Sequence, residues 1–318
     1  PVNGQSDFKI KMQEDAANLD EVVVVGYGTM DKKELTSAVS HVSSKNFTQV
    51  ASVDPSMMIQ GKVAGVSITN TGAGDPNNQA SIQVRGVSSR AAGLGPLIVI
   101  DGVPGGNLTN INPNDIESYD VLKDGAASAI YGTRGSNGVI LVTTKKGARD
   151  GNLHTSYNGS IALDVIKKDL DMLSPDEYRA NRLASGTGYD LGGSTDWMKE
   201  VSRVGVRTVH TLTLSGGNIK SNYRASVDYR DAKGIDKYSG RQEYGARISL
   251  NHTTNSGLIT FGLNIAPRVA YRKNATWDVF RNALEANPTT PIWDPQNPAL
   301  YYNFKGQPAE WNPIEQEK

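Results

Sequence analysis

From Tyr157 to Arg272 the chain repeats one pattern, apolar and polar residues alternating over long runs, and a period of two restricts those runs to β-strands with one apolar and one polar face. Tyr157, Gly159, Ile161, Leu163 and Val165 share one face, while Ser156, Asn158, Ser160, Ala162 and Asp164 share the other. Tyr223, Ala225, Val227 and Tyr229 oppose Asn222, Arg224, Ser226, Asp228 and Arg230; Tyr244, Ala246, Ile248 and Leu250 oppose Glu243, Arg247, Ser249 and Asn251. A last run sets Ile259, Phe261, Leu263, Ile265, Val269 and Tyr271 against Thr260, Asn264, Arg268 and Arg272. Every arginine of these runs falls in the polar phase. An Arg or Lys facing lipid near mid-bilayer costs about 2–4 kcal/mol, so this sorting fits strands with lipid on one side and a wet lumen on the other. By itself the alternation favours a soluble β-sandwich, because one-sided burial is common in antiparallel sheets.

Link lengths add what alternation lacks. Arg207 to Gly216 reads as a further strand, and the links Gly216 to Ser221 and Thr253 to Gly257 are short. Lys167 to Val206 is long and carries a helix capped by Ser174 with Pro175 behind it; a medium link surrounds Gly234; the segment after Asn274 is long, Pro-rich and aromatic. Short and long links alternate, as in an outer-membrane barrel with short turns on one side and long loops on the other.

The N-terminal half is organised differently. Leu97 to Ile100 is a short apolar, mostly β-branched run closed by the turn pair Asp101-Gly102, a strand that a core can bury on both faces. Asn112 and Pro113 predict a capped helical turn to Ile116, followed by a strand over Ser118 to Lys123. Asp124 predicts the cap of a helix through Ala126, Ala127, Ser128, Ala129, Ile130 and Tyr131 that Gly132 stops, and Asn137-Gly138 turns the chain into a strand over Val139 to Lys145. Upstream, Asp54 and Pro55 open a predicted helix of about two turns ending at Gly61, Val66 to Thr69 reads as a strand and Gly72 to Gln79 as a loop. Gly61-Lys62 and Gly72/Gly74 lack phosphate-loop spacing and read as turn glycines. Leu19 to Thr29 holds four consecutive valines, Val22 to Val25, between acids and Gly26 and Gly28, a stiff strand in need of a pairing edge that by its residues alone reads first as a buried core strand. Asp7 to Met12 alternates like a short strand.

Composition narrows the function classes. Thirty-three basic and thirty-three acidic residues cancel, so nothing points to nucleic acid. The absence of cysteine removes disulfides and thiolate metal sites. His41, His154, His210 and His252 are scattered without metal-ligand spacing and no hydrolase motif occurs, so neither an enzyme nor a cofactor is expected. No apolar run reaches the length of a membrane helix, so any membrane-spanning region must be a β-barrel. The chain opens PVNGQ with neither a Met nor a signal peptide, which reads as truncation.

The segments RGVSSRAAGLGPLIVIDGVP, VLKDGAASAIYG and NGVILVTTKKG resemble the plug domain of TonB-dependent outer-membrane transporters, nearest to the SusC/RagA branch. That resemblance implies an α+β plug domain followed by antiparallel transmembrane β-barrel strands, here an incomplete portion of a twenty-two-stranded barrel. It implies four segments: 1–18, the end of a small β-sandwich with a linker; 19–29, the TonB box; 30–149, the plug; and 150–318, the first barrel strands with their surface loops. Asp20, Glu21, Val22, Val23, Val24, Val25, Gly26, Tyr27 and Gly28 match the TonB box, which the partner TonB captures by strand addition. Arg85, Asp101, Gly102, Lys123, Asp124 and Arg134 stand at motif positions that help lock the plug to the barrel wall, although turn and cap hydrogen bonds explain Asp101 and Asp124 equally well. Trp197, Trp277, Trp293, Tyr301, Tyr302 and Trp311, in the long links, are candidates for stacking on a substrate, with ordinary packing or a membrane girdle as the alternative.

The function implied is energy-coupled import of oligosaccharides or peptides across the bacterial outer membrane, with the plug and TonB box facing the periplasm. The implied partners are TonB with its inner-membrane energising complex, a SusD-like surface lipoprotein and outer-membrane lipid. The alternatives are a siderophore or cobalamin receptor of the same architecture and a surface β-rich binding module without transport.

Overall fold

In a computed structural model the described residues are 22–25, 28–31, 39–48, 54–72, 74–84, 86, 95–123, 130–167, 170–276, 278–304 and 311–315. They form an α+β unit lying against one face of a larger antiparallel wall.

In the first unit β1 (Val22–Val25) and β2 (Gly28–Asp31) make a hairpin. The valine run is thus paired within the chain, where sequence reasoning left its partner open. Next come β3 (Val39–Ser43), β4 (Val66–Thr69), β5 (Ser81–Val84), β6 (Leu97–Ile100), β7 (Val103–Pro104), β8 (Ile116–Leu122) and β9 (Val139–Thr144). The main sheet has the order β3-β8-β9-β6-β7, with β6 parallel to β9 and the other pairs antiparallel. Both faces are covered, which is why its strands are apolar without alternation. Tyr119, Val121, Ile140 and Val142 pack on one side with Ile59, Val63, Ile68 and Leu108; Leu122, Val139, Leu141 and Val99 pack on the other with Ile130 and Tyr131. Asp101 and Gly102 take φ of 48° and 87°, the paired left-handed conformation of a tight hairpin, and carry β6 into β7.

The expected two-turn helix after Asp54 is a 3-10 segment, Pro55–Ile59; the Asp54 side chain caps Ser56 N and also accepts from Ala80 N, so it serves two segments. Asn112 caps the 3-10 turn Pro113–Asp115 as its sequence predicts. Gly132, at φ 62°, opens another 3-10 turn, Gly132–Gly135; the segment from Asp124 to Ala129 lies outside the described residues.

The wall holds β10 (His154–Asp164), β11 (Gly205–Gly217), β12 (Ser221–Lys233), β13 (Gly240–Thr253), β14 (Thr260–Ile265) and β15 (Arg268–Lys273). All are antiparallel neighbours in chain order, and both β14 and β15 pair with β13. The single strand expected over Ile259 to Arg272 is therefore interrupted. Its register runs unbroken from Ile248↔Ile265 to Gly245↔Arg268, and the gap falls at Ala266-Pro267, where proline has no N–H to give to the ladder. β10 at one end and β14 with β15 at the other complete no closed barrel among the described residues.

Long links cluster at one end of the wall. Helix Pro175–Tyr178 has the predicted cap, with Ser174 and Glu177 in a reciprocal capping box. Helix Trp197–Val201 packs on helix Val279–Glu285 and Phe304 in a third small core.

Candidate functional site

The alternation of the wall strands resolves into two chemically distinct faces. On the outer face Tyr157, Ile161, Leu163, Leu212, Val227, Tyr244, Ile248 and Phe261 are exposed. Across five strands runs one row of rings: Tyr157–His210, His210–Tyr229, Tyr229–Tyr244 and Tyr244–Tyr271 lie 6.2, 6.4, 5.1 and 6.5 Å apart between centroids. His210, Tyr229 and Tyr244 are direct register partners, whereas Tyr157 stands two residues below Gly159, the partner of His210, and Tyr271 two beyond Val269, the partner of Tyr244. The row thus climbs about one residue per strand. With a rise of about 3.3 Å per residue and strands about 4.8 Å apart, a ring of that slope is level when strands tilt by about 35°. An exposed apolar face carrying an aromatic row of that slope matches the lipid face of an outer-membrane strand array.

The inner face is polar, and the N-terminal unit is fastened to it. Asn112 does two jobs with one amide: its oxygen caps Asn114 N, and its Nδ2 donates to Thr211 Oγ1 on β11 at 2.9 Å. Asn114 Nδ2 donates to the same hydroxyl at 3.3 Å. Asp115, buried, accepts from Arg224 Nη2 at 3.0 Å and from Ser226 Oγ at 2.8 Å, both on β12. Arg268 donates through Nε to Asn110 O at 3.1 Å and forks onto both oxygens of Asp228 at 2.9 Å. Behind this fork Arg230 pairs with Glu243 at 2.9 Å, and Arg241 also pairs with Glu243. Gly147, where the first unit leaves for the wall, lies against the Tyr223 backbone with no room for a Cβ. Lys145 donates to Asn114 O at 2.9 Å; burial first, and then neighbouring Arg224, hold its amine below the usual lysine range against the pull of Asp115 and Glu117. Nearer the long links, Asn77 Nδ2 donates to Lys273 O at 2.7 Å, and Ile235 N donates to Gly74 O at 2.9 Å.

Chemically this seam is a set of side-chain hydrogen bonds in which the buried Arg224–Asp115 pair joins wall to plug, while the Arg268–Asp228, Arg230–Glu243 and Arg241–Glu243 pairs hold wall strands to one another. Removing one partner of such a buried pair costs about 3–5 kcal/mol because the other charge is left buried, whereas separating the two surfaces exposes both partners to water that replaces the lost bonds.

The expected lock residues divide. Asp101 accepts from Thr144 N and Oγ1 at 2.9 and 2.7 Å, which fixes the sheet end, and lies 3.5 Å from Arg247 of β13, so it also reaches the wall. Gly102 shapes the turn. Lys123 donates to Ser40 Oγ and Ala64 O, both within its own unit. Arg134 is exposed with its guanidinium beside Gly105. Arg85, Asp124 and Trp277 lie outside the described residues, as do Asp20, Glu21, Gly26 and Tyr27. The main seam residues, Asp115, Arg224, Thr211 and Arg268, were not singled out from sequence as a group. Their one visible signal is that these arginines share the polar phase.

The aromatic candidates also divide. Trp197 is only 3% exposed, donates to Asn287 O at 3.2 Å and meets Phe304 edge-on, so it is a core residue and not a free stacking face. Tyr302 is half-buried against the same core. Trp293, 44% exposed, stacks on Tyr301 at 4.4 Å, and Trp311 is exposed. Among the described residues no group of three His, Asp or Glu gathers to hold a metal ion, and no helix is long and apolar enough to cross a membrane, which says nothing of strands.

Comparison with known proteins gives the two layers a context. Residues 31–139 match the family model "TonB-dependent Receptor Plug Domain". The TonB-dependent receptor SusC of Bacteroides thetaiotaomicron is 37% identical over 96% of this chain, and the TonB-dependent receptor P3 of Formosa agariphila is 37% identical over 82%. The chain spans about a third of the length of these curated relatives, 31% and 26% respectively. Among solved structures, the RagAB peptide importer in its open-open state superposes with a TM-score of 0.72 at 26% identity, over 81% of this chain and 33% of that one.

Proposed function

The chain belongs to the SusC/RagA family of TonB-dependent receptors, and from that membership we propose that it supplies the plug and first wall strands of an energy-coupled outer-membrane importer. The observation that carries the reading is the two-faced wall: lipid-compatible outside, and inside a polar seam onto which the plug is hydrogen-bonded. In this mechanism the substrate is an oligosaccharide or peptide held at the long-link end under a SusD-like lipoprotein. TonB captures the segment Asp20 to Gly28 from the periplasm by strand addition, drawing on the inner-membrane proton gradient. Val22–Val25 already pairs with Gly28–Asp31, so TonB must take the free edge of that hairpin or displace β2. Pulling then works against polar bonds that break in succession, Asp115–Arg224 and Asn112–Thr211 among them, and water fills the gap.

Deleting Asp20 to Gly28 in the full-length protein tests this reading. The expected result is loss of uptake of labelled glycan and peptide pools by cells with surface binding retained. Unchanged uptake would remove TonB from the mechanism, and unchanged binding with no uptake even before the deletion would favour a binding module. Growth limited separately for iron and for glycan distinguishes the siderophore alternative.

A further inference from the structure

The link between β12 and β13 is hydrogen-bonded on both sides at once. Ile235 donates its N–H to Gly74 O in the plug loop at 2.9 Å, while its own carbonyl accepts from Arg203 N, at the foot of the long β10–β11 link, at 2.6 Å. Arg203 also donates to Gly234 O at 3.0 Å and to Ser239 O at 2.7 Å, and Lys237 N donates to Val201 O at 2.9 Å. Ser202 and Asp236 form an isolated antiparallel bridge. On the plug side a Cβ on Gly74 would collide with the Ile235 side chain, so glycine at 74 leaves the room that the isoleucine occupies against the plug loop. On the other side Val201 belongs to the core of Trp197, Val279 and Phe304 that binds the two long links together.

We infer that the Gly234–Ser239 link is the mechanical joint between the long-link module and the plug loop, with Ile235 as its positioning residue. A strand-like segment paired through both its N–H and its C=O transmits displacement, because moving one partner without the other breaks a part-buried hydrogen bond. Its functional meaning, that occupancy at the long-link end loosens or tightens the plug, rests on the importer reading; the physical coupling does not.

Hydrogen–deuterium exchange on the full-length protein in detergent tests the coupling. Arg203→Ala removes the side-chain bonds to the link and leaves the plug untouched; Trp197→Ala disturbs the module from farther away. Both are expected to raise exchange several-fold in peptides covering 234–239 and 72–79, with peptides covering 116–144 unchanged. Faster exchange in 234–239 with 72–79 at its original rate overturns the inference, as does faster exchange everywhere in Arg203→Ala, which would mean general loosening. The readout needs neither ligand nor TonB, so coupled exchange in a protein without TonB-dependent uptake would sink the importer reading and leave the joint standing.

Discussion

At the scale of single residues, small side chains decide where charges lie. A methyl on Gly245 would sit 2.5 Å from Asp228 Oδ1 and 2.6 Å from Arg268 Nη2, so only glycine lets the guanidinium lie across the strands onto its carboxylate. Gly245→Ala is expected to cost about 1–3 kcal/mol by overpacking and to lower the temperature at which the full-length barrel loses its compact mobility on unheated gels. Tyr119 shows the same dependence on surroundings inside the plug. Its hydroxyl donates to Pro55 O at 2.9 Å, and burial, aided by the charge of Asp54, holds the phenol well above its ordinary 10.0. Above pH 10.0 the unfolded chain releases a proton that the folded one keeps, so stability is fully present below that pH and falls as pH rises past it. Denaturant melts of the plug between neutral pH and pH 11 are expected to steepen in the alkaline range, and Tyr119→Phe is expected to flatten that slope while weakening the plug at neutral pH.

At the scale of elements, the 3-10 turn Pro113–Asp115 is the piece that joins the two layers. Its cap, Asn112, and its last residue, Asp115, face β11 and β12, respectively, so one short turn touches two strands. A double-mutant cycle with Asp115→Asn and Arg224→Met is expected to give a coupling of about 1–3 kcal/mol in the urea dependence of plug release, followed by protease cleavage of the plug. Additive effects would mean that the pair does not hold the seam. The turn itself was legible in Asn112-Pro113, because capping chemistry is local. That it docks on strands about a hundred residues later was not, since nothing in a period-two pattern says which polar residue meets which partner.

At the scale of the whole molecule, the wall has an apolar outer face, and among the described residues its edges at β10 and at β14 and β15 are unpaired. In lipid each unpaired backbone group costs several kcal/mol, so these strands are expected to function with further strands closing the ring. An antibody to Leu97 to Gly147 is therefore expected to detect, in outer membranes of the source bacterium, a band several-fold heavier than 34.2 kDa; a soluble band at that mass would contradict the barrel.

Sequence by itself determined the two-layer plan. Unalternating β-branched runs demand burial on both faces and alternating runs demand one apolar and one polar face; that lipid covers the apolar face came from the resemblance, since alternation alone favours a β-sandwich. Sequence also determined local chemistry, the Asp101-Gly102 turn and the Asn112 and Ser174 caps, but not the break in pairing at Ala266-Pro267, across which the alternation predicts one strand. Tertiary structure alone decided which polar groups face each other across the seam and that Trp197 is buried while Trp293 is not. It alone aligned His210 with four tyrosines in one row, because register and docking depend on contacts between residues far apart in the chain, where neither propensity nor periodicity acts.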